Sequence, residues 1–172
     1  MMKRNLATTI LTALLGLTSI NTLACGIDGG AFFQTIGTMP SGTFSVALAI
    51  NDAKKNQQIV VSEKHSQRLD MVLWQVQQRL KPHYQGEEFE VTVYDIAGNH
   101  FLNIKADGNT LSSAAHELPK EGEEIVFGVT DASVLFALAT NELTFSQAQS
   151  MGLWSSEDGS EEFNGLLQAA FG

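Results

Sequence analysis

One feature constrains the fold more than any other: the hydrophobic period changes twice along the chain. Leu69, Val72, Leu73, Val76 and Leu80 recur at steps of three and four, so they share one face of a helix. A few residues later Phe89, Val91 and Val93 alternate with Glu90, Thr92 and Tyr94, the period of a half-buried strand. Helical spacing returns with Val134, Leu135 and Leu138 and persists to the end. Strands bracketed by helices in this way predict an α+β fold: a mainly antiparallel sheet packed with a long N-terminal helix and C-terminal helices.

The punctuation between these blocks is specific. A helix is expected over residues 63–80, capped by Ser62 and stopped by Pro82, with Met71 and Trp74 widening its packing face. Before it, Phe44, Val46, Leu48 and Ile50 alternate with the small Ser45, Ala47 and Ala49, which predicts a strand ending in a turn at Asn51-Asp52. After residue 94, Ala97-Gly98-Asn99 reads as a turn, residues 101–105 as a second strand, and Asp107-Gly108-Asn109 as a turn into a third strand beginning at Thr110-Leu111. The run Ile125-Val126-Phe127-Gly128-Val129 lacks alternation, as a strand covered on both faces would, and ends in the N-cap pair Thr130-Asp131. Thr144-Phe145-Ser146-Gln147 is a capping box opening a short helix through Met151, and Phe163, Leu166, Leu167 and Ala170 mark a terminal helix.

Composition narrows the function classes. A chain of 172 residues with 44% hydrophobic side chains can close a core unaided. Its single cysteine cannot staple the fold, and His65, His83, His100 and His116 are too scattered for a metal motif, so neither a metal nor a cofactor is expected. A net charge of −9 argues against a nucleic-acid partner. No Gly-x-Ser-x-Gly elbow is present, and Asp95 and Asp131 read as separate carboxylates of the turn and capping type; no catalytic residue is assigned.

The first 24 residues read as a secretory signal: Lys3 and Arg4, an uncharged and mostly apolar stretch, then Thr22 and Ala24 before Cys25. Cys25 after the cut resembles the lipobox of bacterial lipoproteins, although Leu23 stands two residues before it and Thr22 takes the third place. The alternative is ordinary cleavage that leaves a free N-terminal Cys25. In the lipoprotein family Gly26 after the cysteine implies sorting to the outer membrane. Export to the bacterial envelope is therefore expected, periplasmic or as an outer-membrane lipoprotein, with membrane contact only through that anchor.

Residues 25–40 form a Gly-rich tether, from which Phe32, Phe33 and Ile36 are expected to dock on the body, and residues 41–172 form one domain. Without Lys3 and Arg4 the mature chain has eight Lys and Arg against 19 acids, a net charge of −11. Residues 121–172 hold nine acids and no Lys or Arg, read either as solvated loops and helix starts or as a surface for a basic partner.

Residues 89–171 resemble the sterol carrier protein family, the type-two lipid-transfer fold, and residues 26–86 lie outside the match. The resemblance is carried by an ordered series. A hairpin leads to Glu123-Glu124-Ile125-Val126-Phe127-Gly128-Val129-Thr130-Asp131, similar to that family's apolar strand and helix start. Next come Val134 to Thr144, similar to a helix ending in a Thr-Gly-Lys-Leu-like turn, and Phe145-Ser146-Gln147-Ala148, similar to a short Pro-Gln-Ala helix. The terminal helix around Phe163 follows in its place. Two departures stand out: Asn141 replaces a Gly, and after Gly152 the family has a strand where this chain has Leu153-Trp154-Ser155-Ser156. The resemblance implies a non-catalytic binding protein for a lipid or other hydrophobic small molecule, held in an apolar tunnel between sheet and helices. Phe136, Leu143, Phe145, Met151, Phe163 and Leu167 are the candidate lining residues. The alternative function is an envelope adaptor whose acidic surface meets a protein partner.

Overall fold

The computed structural model describes residues 39–117 and 125–172. The expectations for the leader, Cys25, Phe32, Phe33, Ile36 and Glu121, Glu123 and Glu124 lie outside these residues.

The described residues open with a helix, α1 (Thr43–Lys55), where alternation predicted a strand. Large residues at 44, 46, 48 and 50 satisfy helical i, i+4 spacing twice over. Val46 and Ile50, with Thr43 and Ala53, make the buried face, while Phe44 and Leu48 stand on the other, 76% and 50% exposed. The intervening alanines favour helix, and Asn51-Asp52 lies inside it rather than in a turn. Lys54 and Lys55 occupy the last turn, where cations suit the helix dipole.

The helix expected over 63–80 is two helices, α2 (Glu63–Gln67) and α3 (Leu69–Leu80). Arg68, at φ −119° and ψ 38°, interrupts them: its N–H donates back to the carbonyls of Lys64 and His65, and its own carbonyl accepts from Met71 and Val72. Ser62 does cap α2, accepting from the Lys64 N–H, and Pro82 lies in a single 3₁₀ turn, Lys81–His83, after α3. The stripe Leu69, Val72, Leu73, Val76 and Leu80 is buried throughout. Met71 and Trp74 do not widen it. They point outward, 43% and 59% exposed.

Five strands form one mixed sheet in the order β3-β2-β1-β4-β5. β1 (Glu88–Asp95), β2 (His100–Asp107) and β3 (Leu111–Ala115) make an antiparallel meander. The chain then crosses over, so that β4 (Phe127–Thr130) lies parallel to β1, and β5 (Ser155–Ser156) pairs antiparallel with β4. The antiparallel majority is as expected; the central parallel pair is not signalled by local pattern. Half-burial of β1 holds only at its start, because from Val91 to Asp95 every residue is buried, and β4 is buried along its whole length. At the β2–β3 turn Gly108 takes φ 85°, and Asp107 accepts from the N–H groups of Asn109 and Thr110.

Three helices complete the fold: α4 (Ala132–Ala139), α5 (Phe145–Ser150) and α6 (Glu161–Phe171). Asn141 after α4 is left-handed, at φ 59°, a conformation that Asn accepts more readily than most side chains. The full capping box of Thr144 and Gln147 opens α5. α3 packs on α4 and β3, α6 on α5 and β1, and α1 on β4. Buried apolar side chains from all of these elements join in one core.

Candidate functional site

Because β1 and β4 run parallel, they end at the same edge of the sheet. Asp95 is paired with Thr130 there, and Asp131 follows immediately. Two carboxylates that read as isolated in the sequence therefore meet at the N-terminus of α4. Asp95 Oδ1 accepts from the Ala132 N–H at 2.8 Å and Oδ2 from the Gly98 N–H at 3.2 Å; Asp131 Oδ1 accepts from the Ser133 N–H at 2.6 Å. Both residues are at most 2% exposed. Burial, reinforced by the neighbouring Asp95 charge, raises the Asp131 carboxyl above its ordinary range against the opposing pull of the Ser133 hydrogen bond and of His65. The Ser133 hydroxyl in turn accepts from the Ser62 N–H at 3.1 Å, tying the start of α2 to α4.

Histidines also gather at this edge. His100 faces Asp95 across the antiparallel register, with Nδ1 3.6 Å from Asp95 Oδ2 and its ring 4.7 Å, edge-on, from that of His116. His65 lies within electrostatic reach of Asp131 and stacks on Phe136 at 4.2 Å. The β1–β2 turn folds tightly over the pair. A Cβ on Gly98 would collide with the His100 ring and fall 2.6 Å from Asp95 Oδ2, so glycine is required for close approach. Among the described residues, no three His, Cys, Asp or Glu side chains are placed to hold a metal ion.

Beside this cluster lies a cavity of about 240 Å³, lined by Glu63, Ser66 and Gln67 of α2, Ala97 and Gly98 of the β1–β2 turn, and His100. Ser66 is 7% exposed, and its Oγ has no hydrogen-bond partner among the described residues. The lining residues thus include an imidazole held against a carboxylate, a carboxamide and a carboxylate.

The six residues expected to line an apolar tunnel divide between two places. Phe145, Phe163 and Leu167 are almost fully buried. The first two meet across Trp154, whose ring is 5.8 Å from Phe145 and 5.9 Å from Phe163; Phe163 continues to Phe89 at 5.4 Å. Leu143 is buried after α4, and Met151 is half-buried at the end of α5. Phe136 is half-buried on the α2 side, against His65. None of the six lines the cavity beside His100.

Sequence reasoning missed Trp154, which joins the aromatic row, donates from Nε1 to Asn164 Oδ1 at 3.1 Å, and lies on Gly128 so closely that a Cβ there would be 2.9 Å from its ring. The signal was present: a glycine inside an apolar strand run marks a close approach. The Asp95, Asp131 and His100 cluster carried no such local signal.

No known protein family has a sequence profile that matches the chain, and no curated protein matches it in sequence. Among the described residues no helix is long and apolar enough to cross a membrane.

Proposed function

We propose that the protein is an exported, non-catalytic binding protein for a lipid or other hydrophobic small molecule, built on a sterol-carrier-like plan. The observation that carries this reading is the element order of its C-terminal half: a three-stranded meander, a crossover strand ending in the Asp131 cap, α4, the capped α5, a short strand and α6. The reading rests on that order; the departure after Gly152 remains, with only the two-residue β5 (Ser155–Ser156) there. The aromatic row of Phe89, Phe163, Trp154 and Phe145 is part of the closed core, so a ligand of this kind would be taken up by parting these rings, and would bind through burial against them at about 25 cal/mol per Å².

The test is organic extraction of the native, exported protein followed by mass spectrometry. A stoichiometric apolar compound is expected, with uptake of a fluorescent fatty acid by the stripped protein. An empty extract and no uptake would overturn the reading. That outcome would favour the adaptor, which the one-sided charge of residues 121–172 otherwise supports.

A further inference from the structure

We propose that the outer face of α1 is the docking site of residues 28–38 of the same chain, the segment that leads into Met39 and lies outside the described residues. Lipid uptake has no part in the inference, since Phe44 and Leu48 belong neither to the closed core nor to the cavity beside His100. These two side chains are 76% and 50% exposed, four positions apart and so on one ridge of the helix. Met39, four residues before the helix, is 62% exposed. The same ridge continues through Asn51 and Lys55, both exposed and polar, so its apolar part is confined to the end at which the segment arrives.

The point of entry is fixed. Pro40 is buried, and its carbonyl accepts from both the N–H and the hydroxyl of Thr43, at 3.3 and 2.7 Å. Gly42, at φ 81° and ψ −8°, takes the third position of a type II turn, and a Cβ there would fall 2.5 Å from Ser155 Oγ of β5. Such a turn reverses the chain, so a segment entering through Met39 comes in alongside α1 and not from beyond its start.

The segment matches this face in reverse order. Ile36 stands three residues before Met39, Phe33 and Phe32 precede it, and Asp28 lies further out, with no Lys or Arg between. Run antiparallel to α1, these residues meet Phe44, Leu48 and the Lys54-Lys55 pair of the last turn in that sequence, apolar on apolar and acid on base. Reach is ample. Leu48 lies about 7.5 Å along the helix from Thr43, whereas the chain from Met39 back to Phe33 spans up to about 20 Å. A partner joined through Met39 is present at an effective concentration on the order of millimolar, which favours this segment over a second copy of the protein. Docked in this way, residues 28–38 belong to the domain, whose start moves from residue 41 to residue 28.

The experiment places a nitroxide spin label at Gln34→Cys in the ¹⁵N-labelled protein bearing Cys25→Ser, and reads the loss of amide signal against the reduced label. Loss centred on Phe44, Leu48 and Asn51 is expected. Leu48→Ser, at an exposed position, and Phe33→Ser, on the segment itself, should each restore most of the signal at Leu48 and Asn51 while the amide spectrum of the sheet stays unchanged. A contact of so few side chains adds little to global stability, so the label and not the unfolding midpoint reports it. Loss confined to residues 39–43, loss centred on Trp74 of α3, or loss on α1 that survives both substitutions would overturn the proposal. So would loss on α1 in a mixture of ¹⁵N-labelled protein without nitroxide and nitroxide-bearing protein without ¹⁵N, which would assign the face to a second copy.

Discussion

At the scale of single residues, Asp131 joins helix capping to charge burial. Its carboxyl is raised above the ordinary 3.8, chiefly by burial, so the native state holds the proton more readily than the unfolded chain. The stabilising increment is therefore fully present below 3.8 and is lost as pH rises through the higher native value. Asn caps nearly as well as Asp and carries no charge. Asp131→Asn should therefore leave stability at pH 7 equal or greater and abolish the acid-side gain, as read by urea denaturation at neutral pH and below 4. Gly128→Ala makes a second residue-scale case. Its Cβ would press on Trp154 at 2.9 Å in a packed core, and overpacking of this kind costs about 1–3 kcal/mol, measurable as a lower denaturation midpoint with altered Trp fluorescence. Caps such as Thr144 were legible in sequence because donor and acceptor lie within a turn. The contact between Asp95 and Ala132 spans 37 positions and exists only because β1 and β4 are neighbours, so no local pattern announces it.

At the scale of elements, α1 shows where periodicity is ambiguous. Four large residues at every second position fit one face of a strand or two opposite faces of a helix, and only the identity of the buried pair distinguishes them. Ile50→Ala, on the buried face, should cost about 2–5 kcal/mol, while Phe44→Ala should fall within about 0.5 kcal/mol, as exposed sites do; a strand would make the two similar. Paired denaturation curves decide. The break at Arg68 was equally invisible, since neither Gly nor Pro marks it and the apolar stripe runs on through α3. By contrast, β1 to β3 were legible because their turns contain Gly98 and Asp107-Gly108, residues suited to tight reversal. Thr144→Ala, which removes one half of the capping box, is expected to cost about 1 kcal/mol, seen as a modest fall in the unfolding midpoint.

At the scale of the whole molecule, α+β character followed from the two changes of period, and the C-terminal helices appeared where expected. The sheet order did not, because strand neighbours depend on the crossover and not on any run of residues. The proposed export is likewise tested on the chain as a whole. Cys25→Ser should move the protein from the membrane fraction to the soluble periplasmic fraction, and unchanged partition would count against acylation. The parallel pairing of β1 and β4 carries one more consequence, for assembly. Until residues 127–130 arrive, the meander presents β1 as a bare edge rich in valine and aromatic side chains, the kind of edge that recruits other chains. β4 is thus the strand that closes the sheet against its own copies, and chains cut short between β3 and β4 should appear as aggregates rather than as smaller folded proteins.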